Sequence, residues 1–380
     1  MKERKVSGRV FNFTVGMLNE HLKFPSAKNS LYTGSDINQC LIQLSLSQGF
    51  AESGLANFSE KCGRQNNVPT GRTFRGRAER LPEGHVRDSL TGANDHVLRI
   101  LKGYGVFRRK AVVAIDYARQ PFYGDTNAKN VVGGKQEKGT MWGYSYASID
   151  IVEAGRRLTL YTLTVNQFTE KAEAVEKLIK EAKARGVHIG VVLLDRAFFT
   201  VEVIKKLKEL GVHFIMPAVK NEKVKEAMLN YDGQHPAQRF TLGEGERSVS
   251  FNLYRRPAEE LPKKKKLTVS DLYFGFATNI PNSSAAHLPI FIPQEYRRRW
   301  GIETGYRVQG NVQAKTTSTN YTLRLLYHMT SILLYNVWHY ANLLLCKALK
   351  TQFKKPLLKL TSLAVHFENL IICELGPPRH

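Results

Sequence analysis

The sequence predicts a mixed α/β sheet with a parallel centre, preceded by a helical region and followed by one long buried helix. Three observations predict it. KAVVAIDY (110–117) and VHIGVVLLD (187–195) are short, continuous apolar runs rich in β-branched residues, the pattern of strands covered on both faces. The charged amphipathic stretches TEKAEAVEKLIKEAKARG and VEVIKKLKELG alternate with VHIGVVLLDRAFF and VHFIMPAV, as crossover helices alternate with parallel strands. Finally, Leu325 to Cys346 contains no Asp, Glu, Lys or Arg, while His328, Asn336, His339 and Asn342 recur at helical spacing. That is a helix buried in protein with one face reaching polar partners, rather than a membrane span.

The chain has 380 residues, longer than one ordinary core. Five regions are expected: a helical region with a basic arm (1–105), the first part of an α/β core (106–220), a β-rich insertion (221–290), the second part of the core (291–350) and a tail (351–380). In the first region SDINQCLIQLSLSQGFAESG reads as a helix with a serine/aspartate start and a glycine stop. GRQNNVPTGRTFRGRAER follows, with Arg64, Arg72, Arg75, Arg77 and Arg80 separated by glycines and polar residues, and reads as a loop or arm lying along a phosphate backbone. MWGYSYASIDIV and RRLTLYTLTV form two strands around a VEAG turn. RFTLGEGERSVSFNLYRR and LYFGFATNI read as antiparallel strands around the cationic loop PKKKK.

Composition narrows the function. The formal charge is +23, from 56 Lys and Arg against 33 Asp and Glu, so a polyanion is the expected partner, nucleic acid ahead of an anionic membrane surface. Cys40, Cys62, Cys346 and Cys373 are far apart and form no CxxC pair, which speaks against a zinc site of that kind and against a secreted disulfide framework. The N-terminus has charge but no apolar stretch of signal-peptide length, so export is not expected.

Chemistry concentrates on three carboxylates. Asp116 and Asp195 each close a buried strand, the edge of an α/β sheet where sites form. On adjacent strands they would lie close enough to require a shared proton or a cation, and hard oxygen ligands suit Mg²⁺ or Mn²⁺. Either aspartate could instead cap the segment that follows it. Asp150 competes but lies inside a hairpin strand, and Asp125 reads as turn-forming. The third carboxylate is in EYRRRWGIETGYRV (295–308), where Tyr296, Arg299, Glu303 and Arg307 fall on one side of a single helix. Glu303 would thereby reach the two aspartates among cations suited to phosphate.

These residues resemble the DDE transposases of prokaryotic insertion sequences, the group with a Tyr-Arg-Glu signature on the helix of the third acid. The resemblance runs through AVVAIDYARQPFYGD, KGTMWGYSYASIDIVEAGRRLTL, VVLLDRAFFTVEVIKKLKELGVHFIMPAVKN and YRRRWGIETGYR. It departs at Gly310, where the group usually has lysine, and so is similar to a subgroup ending E-x3-R, with Arg307 as the available cation and Lys315 as the next candidate. The resemblance implies a ribonuclease H-like fold with a β-rich insertion before the third acid. It implies two Mg²⁺ ions, replaceable by Mn²⁺, on Asp116, Asp195 and Glu303, and phosphate contacts from Tyr296, Arg299 and Arg307. It further implies cut-and-paste transposition of double-stranded DNA, a homodimer at the terminal inverted repeats, and a cytoplasmic, nucleoid-associated protein. Trp300 is a candidate for stacking on an unpaired base, with packing as its alternative. A nuclease or resolvase that cuts without joining, or a retired DNA-binding protein, are the competing functions.

Overall fold

The computed structural model describes residues 2–26, 28–63, 66–230, 237–258, 267–281 and 288–376. Five helices come first: α1 (Lys2–His21), α2 (Gly34–Leu46), α3 (Ala51–Cys62), α4 (Gly71–Ala78) and α5 (Glu83–Gly103). The start of α2 is set by Thr33, which exchanges hydrogen bonds with Asp36 in a capping box. Gln48, at φ 51, and Gly49 turn the chain into α3. The arginine-rich segment expected to be an open arm is largely α4. Thr70 caps it, and Phe74 and Ala78 bury one face, so the segment has an apolar stripe that pays for helix formation.

Strands β1 (Ala111–Pro121), β2 (Val131–Glu137), β3 (Thr140–Ile151) and β4 (Leu158–Val165) lead to helix α6 (Lys171–Ala184) and strand β5 (Ile189–Leu194). Helix α7 (Val201–Glu209) and strand β6 (Phe214–Pro217) continue the alternation, followed by α8 (Glu222–Leu229), β7 (Ala237–Glu244), β8 (Arg247–Pro257), α9 (Val269–Leu272) and β9 (Tyr273–Thr278). All nine strands among the described residues belong to one sheet. Its order is β2-β3-β1-β5-β6-β9-β8-β7, with β4 paired to β3. The centre is parallel, β1 to β5 and β5 to β6, and the flanks are antiparallel. Strands β9, β8 and β7, read from sequence as an insertion, extend this same sheet. β2, which sequence reading did not pick out, pairs with the start of β3. The PKKKK loop lies outside the described residues.

Four helices complete the chain: α10 (Leu288–Arg297), α11 (Trp300–Gly310), α12 (Tyr321–Ala348) and α13 (Leu360–Leu375). α12, about 42 Å long at 1.5 Å per residue, is buried along most of its length and is the axis of the helical layer. Of its four expected polar residues, Asn336 and Asn342 have strong partners and His328 meets Gln120 Nε2 at 3.4 Å through Nδ1, whereas neither ring nitrogen of the buried His339 is hydrogen-bonded to a described residue. Asn336 accepts from Thr159 N–H and donates to Asn94 Oδ1 and Thr159 O, and Asn342 bonds the Leu358 backbone in both directions. Among the described residues no helix is long and apolar enough to cross a membrane.

Two regional expectations change. α1 and α5 pack on α12, and α1 also on α13, so the N-terminal helices share a core with the C-terminal ones instead of standing apart. The stretch expected to be a tail carries α13, whose Leu363, Phe367, Ile371 and Leu375 are buried against that core.

Candidate active site at the parallel strand edge

β1 and β5 run in parallel register with Ile115 opposite Leu194, so the next residues, Asp116 and Asp195, stand level across the pair. Asp195 does end its strand. Asp116 does not: β1 continues to Pro121 because β3 remains paired with it through Gly143. What changes at Asp116 is burial, from a fully covered run to a half-buried one. Asp195 also caps the short 3-10 turn Arg196–Phe198, its Oδ1 accepting from Arg196 N–H at 2.6 Å, so its capping and site-facing readings coincide in one residue.

Glu303 is delivered by α11. The sequence reads residues 295–308 as one helix, but α10 ends at Arg297 and α11 begins at Trp300. The junction is tightened by bonds spanning three residues, Arg298 N–H to Glu295 O and Arg299 N–H to Tyr296 O. Gly301 explains why the backbone comes so close here, since an added Cβ would stand 2.8 Å from Val152 O at the end of β3. Tyr296 therefore lies on α10, against Phe276 at 5.2 Å between ring centroids, with the Arg299 guanidinium 5.8 Å from its ring.

Arg299 is buried and bridges two acids. Nη1 is 3.1 Å from Asp116 Oδ2 and Nη2 is 2.6 Å from Glu303 Oε1. Burial raises the Asp116 carboxyl to about 6; the Tyr117 N–H bond and Arg299 oppose that rise, and nearby Asp195 and Glu303 reinforce it. Asp116 therefore senses both other acids. The ligand oxygens of the three do not all fall within 4.8 Å of one another, and the guanidinium stands between two of them. Three carboxylates, one held toward its protonated form by burial, are an all-oxygen donor set of the kind that a hard divalent cation takes.

A second layer lies beneath. Tyr306, one turn after Glu303, donates to Asp116 O at 2.9 Å and meets Ser148 Oγ at 2.9 Å. Ser148 and Thr159 donate to the buried Asp150 carboxylate, and Gln309 Nε2 donates to Thr159 Oγ1 at 2.7 Å. Sequence reading set Asp150 aside as a strand residue and missed Tyr306 and Gln309. The signal was available for Tyr306, three residues past Glu303 on the same helical side, but not for Gln309, which lies about 120° round the helix from the acid.

The remaining candidates are placed apart. Arg307 is exposed and forms no ion pair with any described residue, so Glu303 pairs with Arg299 only. Trp300 is 63% exposed and faces a cavity of about 410 Å³ lined by Glu153, Arg157, Arg297 and Arg298. Lys315 is on the wall of a groove of about 580 Å³ with Phe122, Tyr123, Lys138 and Arg324. Arg75 pairs with Glu52, and Arg77 donates to Tyr32 O and Ser30, whereas Arg72 and Arg80 are exposed. Arg64 lies outside the described residues. Asp125 accepts from Asn127 N–H at 2.9 Å, as a turn residue does.

Residues 151–325 match the family model of the transposase DDE domain. The match takes in Asp195 and Glu303 and supports a DDE transposase. Over 97% of this chain and 78% of the other, the structure is also similar to that of the piggyBac transposase synaptic complex with hairpin DNA, at a TM-score of 0.58 and 11% identity. At that identity the likeness shows a shared mixed α/β fold. No curated protein matches the chain. The matched residues begin at Ile151, the last residue of β3, so Asp116 lies outside them; they take in β4, β5, α10 and α11.

Proposed function

We propose that the chain is a DNA transposase with a ribonuclease H-like core formed by β1 to β6 with α10 to α12. It cleaves the ends of a mobile element and joins the freed 3′-hydroxyl to target DNA. The observation that carries this is the convergence of Asp116 and Asp195, level across two parallel strands, with Glu303 tied to Asp116 through Arg299. Asp116, Asp195 and Glu303 would hold two divalent cations, Mg²⁺ or Mn²⁺. Such ions supply charge neutralisation and Lewis-acid polarisation at the scissile phosphate.

The chain's own residues do the positioning. β1 and β5 fix the two aspartates, and Tyr306 anchors the Asp116 backbone from the helix that bears Glu303. Arg307, exposed one turn beyond Glu303, is the cation for a phosphate near the cut, and its planar fork suits two oxygens at once. Tyr296 and Arg299 flank the same edge. The net charge of +23 draws the duplex in. The likeness to a transposase complex with hairpin DNA supports DNA as the partner; cut-and-paste transposition at inverted repeats by a homodimer in the nucleoid belongs to the same proposal.

The test is strand transfer. With Mg²⁺, a labelled fragment carrying the inverted repeats that flank the reading frame should become covalently joined to plasmid DNA. Asp116→Asn, Asp195→Asn and Glu303→Gln should each lower cleavage by about 10³-fold or more while binding to the fragment changes little, because the basic surface is untouched. Cutting without joining would move the function to a nuclease or resolvase. Near-wild-type cleavage in any variant would remove that residue from the site.

A further inference from the structure

A second cluster of metal-ligating side chains lies in the helical layer, apart from the acidic site. We propose that Glu20, His21 and His96 form a binding site for a divalent transition ion of the Zn²⁺ class, joining the end of α1 to α5.

The three residues each offer one ligand atom within 4.8 Å of the other two, near enough for small side-chain rotations to bring them onto one ion, and no other His, Cys, Asp or Glu triple is so placed among the described residues. The folding of both helices brings this about. On α1, Phe13, Met17, Glu20 and His21 follow at steps of four, three and one, so the last turn continues the face that packs on α5. On α5, Gly92 and His96 are one turn apart. Gly92 is a notch for the His21 ring, since a Cβ there would stand 2.9 Å from Nδ1. The two imidazoles meet edge to face at 5.9 Å between centroids, and Phe13 backs the His96 ring at 5.5 Å.

A second observation points to a ligand. His21 Nε2 is shielded from solvent and has no hydrogen-bond partner, although buried ring nitrogens are ordinarily paired. A bound cation would satisfy it. Two imidazoles and one carboxylate form a borderline donor set, which suits Zn²⁺, Co²⁺ or Ni²⁺ in preference to Mg²⁺. The acidic site offers oxygen alone, so the two sites differ in the ions they select. Three protein ligands leave a further coordination position for water.

The experiment uses the full-length chain carrying Asp116→Asn, Asp195→Asn and Glu303→Gln, so that the acidic site cannot contribute. After chelator treatment, titration with ZnCl₂ by calorimetry should show one strong equivalent, and Zn²⁺ should raise Tm. Adding His21→Gln or His96→Gln should weaken binding at least about tenfold and abolish the Tm rise. Glu20→Gln, at an exposed position, and Gly92→Ala, which displaces the His21 ring, should weaken binding even if a histidine variant misfolds. With Co²⁺ the spectrum should show d–d bands without a thiolate charge-transfer band. No Zn²⁺ binding, unchanged affinity in the histidine variants, or a thiolate band would each overturn the site. None of these outcomes depends on whether the chain moves DNA.

Discussion

Arg299 lies between Asp116 and Glu303, 3.1 Å from an oxygen of the first and 2.6 Å from an oxygen of the second, with 10% of its side chain exposed. One guanidinium thus holds together two acids that would otherwise repel. The same oxygens are the ones a divalent cation would claim, so the arginine and the ion bear on one electrostatic problem.

The first prediction follows from that sharing. In chelator-treated protein, Arg299→Ala should lower stability by about 1–3 kcal/mol, the worth of charge-assisted bonds whose loss leaves half-buried carboxylates unpaired. Arg299→Lys keeps the charge but cannot span both acids, and should fall between. Chemical denaturation in EDTA checks this. A wild-type midpoint for Arg299→Ala would show that the bridge contributes nothing.

Arg307 is the converse case, an exposed cation with no described ion-pair partner. Because it holds nothing together, Arg307→Ala should leave Tm unchanged. If it contacts a phosphate near the cut, single-turnover cleavage of a pre-bound fragment should slow by about 1–3 kcal/mol in barrier, or roughly 5- to 150-fold, with Arg307→Lys intermediate. A wild-type rate would shift the role to Lys315, on the groove wall.

How much of this was legible in the sequence depends on which interaction decided each element. The central strands were legible because Ala111–Ile115 and Val191–Leu194 are covered on both faces, and continuous apolar runs have few other uses. Asp116 and Asp195 were legible as a pair for the same reason. The length of β1 was not, since its second half is held by pairing to β3, a contact that leaves only a half-buried pattern. The break between α10 and α11 was hidden too, because periodicity treats Gly301 as a weak helix residue and cannot see Val152 O beside it. The arginine segment misled through its glycines. Its helix is fixed by Thr70 and by Phe74 against the ring of Tyr327, a partner far along the chain. Arg299's bridge to Asp116 spans a similar distance in sequence, so only half of its role, the pairing to Glu303 at i+4, could be read locally.

Gly301 gives the third prediction. Gly301→Ala places a methyl 2.8 Å from Val152 O and 2.9 Å from its Cβ, and since backbone cannot swing aside as a side chain can, α11 must move off β3. The expected cost is about 1–3 kcal/mol in stability, together with a cleavage loss larger than that cost explains, because Glu303 travels with α11. Comparing urea midpoints with single-turnover rates separates the two effects. Full activity in Gly301→Ala would mean that the position of α11 is not set by this contact.

The last prediction concerns pH. Asp150 is buried on β3, and burial pushes its carboxyl up to about 7; hydrogen bonds from Ser148 and Thr159 oppose the rise, and nearby Asp116 adds to it. An unfolded aspartate titrates near 3.9. The fold therefore favours the protonated form, and the stability this residue contributes is fully present below about pH 4 and is lost as pH rises through 7. A rise of about three pH units corresponds to up to ~4 kcal/mol. Asp150→Asn removes the titration while preserving the shape. The amide oxygen can accept from Thr159, and its N–H₂ can donate to Ser148, whose own hydroxyl proton can turn to Tyr306, 2.9 Å away. Wild type and Asp150→Asn should then be equally stable near pH 4 and diverge toward pH 8, with the variant the more stable. The shifts of His328 and His339 are common to both proteins and cancel in the difference, and Asp116, which interacts with Asp150, is taken out of it by placing Asp116→Asn in both backgrounds. Urea unfolding at four or five pH values measures that difference directly, and parallel curves would show that Asp150 carries its charge in the folded state without cost.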